Sequence, residues 1–176
     1  MLEKIGLNFS ITSSNYPEDF VYDKDPAEMV KTLSVRKAEE VARQYPDSII
    51  IAADTIGVLR GKIISKPHTP DEARQMLRSM SGKSHRVFTG FTILDAANKK
   101  QVTRSVETRV YLKKINLQEI ESYVKSGEPL DKAGAYAIQG LGSVIVKKIV
   151  GDYYNVMGLP LSALVESLKE FGINIL

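Results

Sequence analysis

Cysteine is absent from the 176-residue chain. No disulfide framework, thiolate zinc site or cysteine nucleophile can be built from it. Histidine occurs only twice, which leaves little for a transition-metal site, while a hard cation held by carboxylates stays open. Long apolar runs are missing as well. The longest is Ile49 to Ala53, far short of the roughly 20 residues that a membrane-spanning helix needs. No hydrophobic signal-peptide region stands at the N-terminus, so a reducing, cytoplasmic setting is expected. There is little excess of one charge: 24 Lys and Arg against 21 Asp and Glu leave +3. That is too small to argue for wholesale binding of nucleic acid. The local cluster Lys99, Lys100, Arg104, Arg109, Lys113 and Lys114 reads as a solvated strand face. A nucleic-acid-binding ribbon is the competing reading of Lys99 to Lys114, and Tyr111 is its only aromatic residue.

What is present is an ordinary globular composition, 43% hydrophobic and 26% charged. A chain of this length can bury about 70% of its unfolded surface in one domain, or in two small lobes sharing a core. Helix and strand signals alternate from end to end. Asp25, Pro26 and Glu28 open a helix with the pattern of a capping box. Val30, Leu33, Ala38, Val41, Ala42 and Tyr45 follow at helical spacing before Pro46. Ser48 to Ala53 reads as a buried strand ending at Asp54-Thr55, with a turn near Arg60-Gly61 and more strand to Ile64. Thr69, Pro70 and Glu72 repeat the capping pattern. Strands are expected at His85 to Leu94, Gln101 to Leu112 and Val144 to Ile149, and further helices after Asn116 and over Pro160 to Phe171. Ile173 to Leu176 is a candidate last strand. The class is a mixed α/β chain with at least one antiparallel pair.

Some residues resist a merely structural reading. Lys37 lies four residues from both Leu33 and Val41, so it points from the middle of an apolar stripe. It must snorkel, find a carboxylate, or face a cleft that holds an anion. If it faces a cleft, Lys37→Met would leave or raise stability. Asp54 ends an apolar strand, where α/β sheets place ligands. It can bind a metal, act as a base, or serve as a turn aspartate. Thr55 can donate to a phosphate or only satisfy the backbone. Lys66 is kept extended by Pro67, across strand ends or on plain surface. The stretch Asp131 to Gly140 combines charge, glycines, Tyr136 and Gln139. Gln139 carries both a donor and an acceptor, as a pyrimidine edge requires, whereas Tyr136 reads as core. His85 reads as a hydrogen-bonded structural histidine. As a set, two lysines, a strand-end acid, an amide and glycines suit an anionic, metal-bound, phosphate-containing ligand.

Several motifs stand in one order: Ala53-Asp54-Thr55, Lys66-Pro67, Ser81-Gly82, His85 through Thr89-Gly90, Gly134 to Gly140, Gly151-Asp152-Tyr153 and Asn155 to Pro160. In these the whole chain resembles the Maf family of nucleoside triphosphate pyrophosphatases. Ile138-Gln139-Gly140 is similar to the subgroup acting on dTTP and UTP. The resemblance implies one Maf-like domain over residues 1–176. Its fold would be a mixed twisted sheet in two lobes with a deep cleft, related to the inosine triphosphatase fold. It also implies a divalent metal, Mg²⁺ or Mn²⁺, and a homodimer with no membrane or nucleic-acid partner. Carried over by motif, Asp54 and Glu18 would be the catalytic, metal-holding acids. Lys37 and Lys66 would contact the triphosphate, with Thr55 beside them, and Gln139 would help read the base.

The family opens with a strand and a Ser-x-Ser-Pro-Arg-Arg loop that holds phosphates. This chain begins Met1-Leu2-Glu3-Lys4-Ile5-Gly6-Leu7, which resembles the segment after that loop. The reaction expected is hydrolysis of a nucleoside triphosphate to the monophosphate and pyrophosphate. The alternative is a nucleotide-binding regulatory protein with impaired turnover, for want of that loop.

Overall fold

Apolar spacing and caps place most elements. A computed structural model describes residues 1–16 and 25–176. Helix α1, Pro26–Ala42, starts where Asp25 accepts hydrogen bonds from the amides of Ala27 and Glu28. The reciprocal half of the expected box is not made. Glu28 instead pairs with Lys31 at 2.5 Å, the i,i+3 neighbour on its own helix. In α2, Pro70–Met80, Thr69 accepts from the Glu72 amide, and the Glu72 carboxylate reaches one residue further back, to the amide of His68 at 2.7 Å. Only α3, Leu117–Lys125, closes both halves, between Asn116 and Glu119. A short helix α4, Tyr153–Val156, and α5, Leu161–Leu168, complete the helical set among the described residues.

The sheet holds five strands: β1 Ile49–Leu59, β2 Lys62–Ile64, β3 Ser84–Asp95, β4 Lys100–Leu112 and β5 Val146–Val150. Their spatial order is β2-β1-β3-β4-β5. β1 does not stop at Asp54. Ile56 and Val58 are buried, and β2 pairs antiparallel with Gly57 to Leu59, so burial and pairing carry the strand onward. Arg60 and Gly61, both at positive φ, make the two-residue turn between them, the geometry that matches strand twist. β5 starts later than expected because Gly140–Ile145 coils into a 3-10 helix. Residues 173–176 form no strand.

The chain divides into two compact units. The first comprises Met1–Thr55, Phe88–Val106 and Gly158–Leu176; the second comprises Ile56–Val87 and Glu107–Met157. In the first, Phe91 and Ile93 of β3 meet Leu161, Leu164 and Leu168 of α5. In the second, α2 and α3 bury Leu77, Met80, Ile120 and Val124 with Val87, Val110 and Leu112 of the sheet.

The second core also encloses His85 and Tyr136, each under a tenth exposed. His85 Nε2 shares a 2.8 Å hydrogen bond with the Tyr136 hydroxyl, and the rings meet edge to face. His85 is thus the hydrogen-bonded structural histidine, and Tyr136 the core residue, that the sequence suggests. Burial pushes the imidazole down to about 4. The unfolded chain therefore binds an additional proton between that value and the free value near 6.5. Stability is fully present above about pH 6.5 and is lost as pH falls toward 4, by roughly 3 kcal/mol at most. Urea unfolding across this range should show that loss in the natural chain and not in His85→Gln.

Candidate active site

Helix α1 lies directly on strand β3. A Cβ on Gly90 would overlap the backbone carbonyl of Val30, so no larger residue permits this approach. Beside the contact, the Ser34 hydroxyl is 2.8 Å from that of Thr92, which is 3.0 Å from that of Thr103. Ser34 and Thr92 are fully buried. These bonds satisfy hydroxyls that would otherwise cost free energy inside the core, and they fix the rotation of α1 about its axis.

That rotation presents Lys37, one turn after Ser34, to strand β1. Its Nζ lies 2.5 Å from Asp54 Oδ1, with the side chains 17% and 7% exposed. Lysine on the apolar stripe has therefore found a carboxylate, one of the three outcomes open from its position. Asp54 is held mid-strand rather than at a strand end, since β1 continues five residues beyond it. Next to it, the Thr55 hydroxyl shares a 2.8 Å hydrogen bond with Thr89 and lies 3.5 Å from the Gly158 carbonyl. A cavity of about 900 Å³ is lined by Lys37, by Ile49 to Ala53 of β1 and by Phe9 to Thr12. That is room for a nucleotide-sized ligand.

The structure thus brings Lys37 and Asp54 together in the first unit, while Thr55, the next residue on the strand, is held by Thr89 instead. Lys66 and Gln139, both exposed, belong to the second. There the Gly134 amide donates to the Ser65 carbonyl at 3.1 Å, tying the segment before Lys66 to the glycine-rich stretch that leads to Gln139. Glu18 lies outside the described residues. Glu40 was not foreseen. It accepts hydrogen bonds from the Ser14 hydroxyl and from the amides of Asn15 and Tyr16. The Ser14 bond leads in holding its carboxyl below the usual range. Glu128 and Tyr123 were also missed. Their partners lie up to fourteen residues along the chain, beyond any local sequence pattern.

Among the described residues, no group of three or more His, Asp or Glu side chains converges to cage a metal. Asp54 supplies one carboxylate. That donor set fits magnesium brought in on phosphate oxygens, because Mg²⁺ binds through one or two carboxylates plus substrate phosphate.

A paired acid and lysine thus stand beside a nucleotide-sized cavity on an α/β sheet. The chain matches the model of the family described as Maf-like protein over residues 1–171, and it belongs to that family. It is 49% identical to a protein of Alkaliphilus metalliredigens over all of this chain and 92% of the relative. It is 48% identical to one of Methanococcoides burtonii over 97% of this chain and 88% of the relative. It is 43% identical to one of Syntrophus aciditrophicus over 98% and 84% respectively. Each of the three is named dTTP/UTP pyrophosphatase. Among the described residues, no helix is long and apolar enough to cross a membrane.

The ion pair reverses the stability expected for a lysine that faces a cleft. Lys37→Met would strand the Asp54 carboxylate in a buried position. It should cost roughly 3–5 kcal/mol, the scale for breaking one side of a buried pair. Part of this should return in Lys37→Met/Asp54→Asn. Thermal unfolding of the single and double variants checks both statements.

Proposed function

We propose that the chain hydrolyses dTTP and UTP to the monophosphate and pyrophosphate, with Asp54 and Lys37 at the reacting centre. The observation that carries the reading is their 2.5 Å pair, set in a sequence alike throughout to proteins named for this activity. Water attacks the α-phosphorus, and a new P–O bond forms as the bond to the α,β-bridging oxygen breaks. Asp54 accepts the water's proton at a carboxylate oxygen. Lys37 stabilises charge as it shifts onto the departing pyrophosphate, and it does so without reorganising because the sheet and α1 already hold it. Thr55, fixed by Thr89, can turn its hydroxyl to a phosphate oxygen. Lys66 is a further phosphate contact in this reading. Glu18 is a second acid. A divalent cation, held by Asp54 and Glu18 with the phosphates, would neutralise substrate charge and lower the pKa of bound water.

Asp54→Asn keeps the size of the side chain and removes the proton acceptor. Pyrophosphate release from dTTP and UTP should fall at least ~100-fold, the lower range for a lost acid–base group. More than half the activity remaining would remove Asp54 from the mechanism.

Gln139 is proposed to read the base. Thymine and uracil present two carbonyls flanking one N–H, and a primary amide donates to one carbonyl and accepts from the ring N–H. Gln139→Glu loses the donor, so kcat/KM for dTTP and UTP should drop roughly 10-fold to 100-fold, the scale of a hydrogen bond left unmade. Preference should move toward guanine nucleotides, whose ring N–H and amino group both donate. Rates for UTP, dTTP, CTP and GTP decide it: a uniform fall with unchanged rank order contradicts base reading.

A further inference from the structure

Gln139 sits in a loop that carries little apolar anchorage of its own. Gln139 and Gly140 are exposed, and Leu141 is 56% exposed. The Gln139 backbone is extended, with φ −110° and ψ 171°. A side chain that must meet one edge of a base needs its Cα held more firmly than such a loop provides.

The hold comes from the end of α3. Glu128 follows that helix, and its carboxylate collects three donors. Oε1 accepts from the Tyr123 hydroxyl at 2.8 Å and from the Gly142 amide at 2.8 Å, and Oε2 accepts from the Leu141 amide at 3.0 Å. The Tyr123 oxygen in turn accepts from the Ala137 amide at 3.2 Å. Gln139 is therefore bracketed. Two residues before it, the chain is fastened to Tyr123; two and three residues after it, to Glu128.

The glycines of the loop show how closely it rests on these groups. Gly140 is at φ +65°, and a Cβ there would meet Glu128 Oε2 at 2.5 Å. A Cβ on Gly142 would overlap both the Ala137 carbonyl oxygen and the Tyr123 hydroxyl. Burial pushes the Glu128 carboxyl up. The Gly142 amide, Tyr123 hydroxyl and Leu141 amide, with Lys132 nearby, outweigh it and hold the group below the usual carboxylate range. The buckle is thus anionic, and charge-assisted hydrogen bonds are the stronger kind.

We propose that Glu128, with Tyr123, is a positioning residue for base selection: it fixes the loop so that the Gln139 amide lies where a pyrimidine edge is read. The inference rests on the base-reading role given to Gln139. Glu128 touches no substrate in it and acts only through the loop.

The test measures dissociation constants for dTTP and GTP by isothermal titration, which needs no turnover. It uses the natural chain, Glu128→Gln, Tyr123→Phe, Gln139→Ala, and Glu128→Gln/Gln139→Ala. Glutamine at 128 keeps one acceptor oxygen and turns an NH₂ against backbone donors. The preference for dTTP over GTP should fall about 10-fold in Glu128→Gln, the order of one hydrogen bond to the base. Exchange of the Leu141 and Gly142 amide hydrogens should quicken with it. In the Gln139→Ala background, Glu128→Gln should change the preference less than about twofold, because coupled residues are not additive. Tyr123→Phe, which keeps the ring packing, should lower the preference in the same direction and serves if Glu128→Gln does not fold. If Gln139→Ala lowers the preference while Glu128→Gln and Tyr123→Phe leave it intact, or if the effects simply add, the positioning role is overturned and base reading survives. If Gln139→Ala itself leaves the preference unchanged, base reading fails and the role of Glu128 falls with it.

Discussion

Lys37 reaches Asp54 because helix α1 rests its backbone against strand β3 at Gly90. The rotation of the helix that presents Lys37 follows from that approach. The helix is close enough for the Ser34 and Thr92 hydroxyls to share a hydrogen bond, and the hydroxyl chain sets which residues face β1. A side chain at position 90 would push the helix away. The 2.5 Å ion pair would then lengthen, and each charge would need water in a place where Asp54 is only 7% exposed. Desolvating two ions is costly, and their attraction offsets that cost only when geometry is good. The pair is therefore weak evidence of a device for stability.

The second unit uses the same physics with other groups. Glu128 is a carboxylate satisfied by hydroxyl and amide donors rather than by a cation. His85 is a base kept neutral by burial, with a tyrosine hydroxyl as its hydrogen-bond partner. His85 is buried and Glu128 half-buried, and each is made tolerable by specific partners, which makes its surroundings rigid. In the first unit rigidity serves two charged groups beside a cavity. In the second it serves a loop whose exposed residue, Gln139, has no other reason to stay in place.

Much of this was legible in the sequence. Local signals, such as the Asp25, Thr69 and Asn116 caps and the apolar spacing after each, place α1, α2 and α3 because those bonds span three residues or fewer. The misplacement of Lys37 on an apolar stripe was visible for the same reason, and so was the need for a partner. Which partner was not visible, since Asp54 lies seventeen residues on and is brought near by packing. The end of β1 was misjudged at Asp54 because a polar residue after five apolar ones resembles a stop. Pairing with β2, a tertiary fact, overrides it. The half-made capping boxes failed likewise: Glu28 and Glu72 found other donors in Lys31 and His68. Glu128 looks like a solvated turn residue until the loop at Gly140 closes on it.

The account stands or falls on water attacking the α-phosphorus. Hydrolysis of dTTP in ¹⁸O-labelled water, followed by mass spectrometry of the products, reads that step directly. The label should appear in the thymidine monophosphate, with pyrophosphate unlabelled. Label in the pyrophosphate, or release of orthophosphate with the diphosphate left behind, would contradict it.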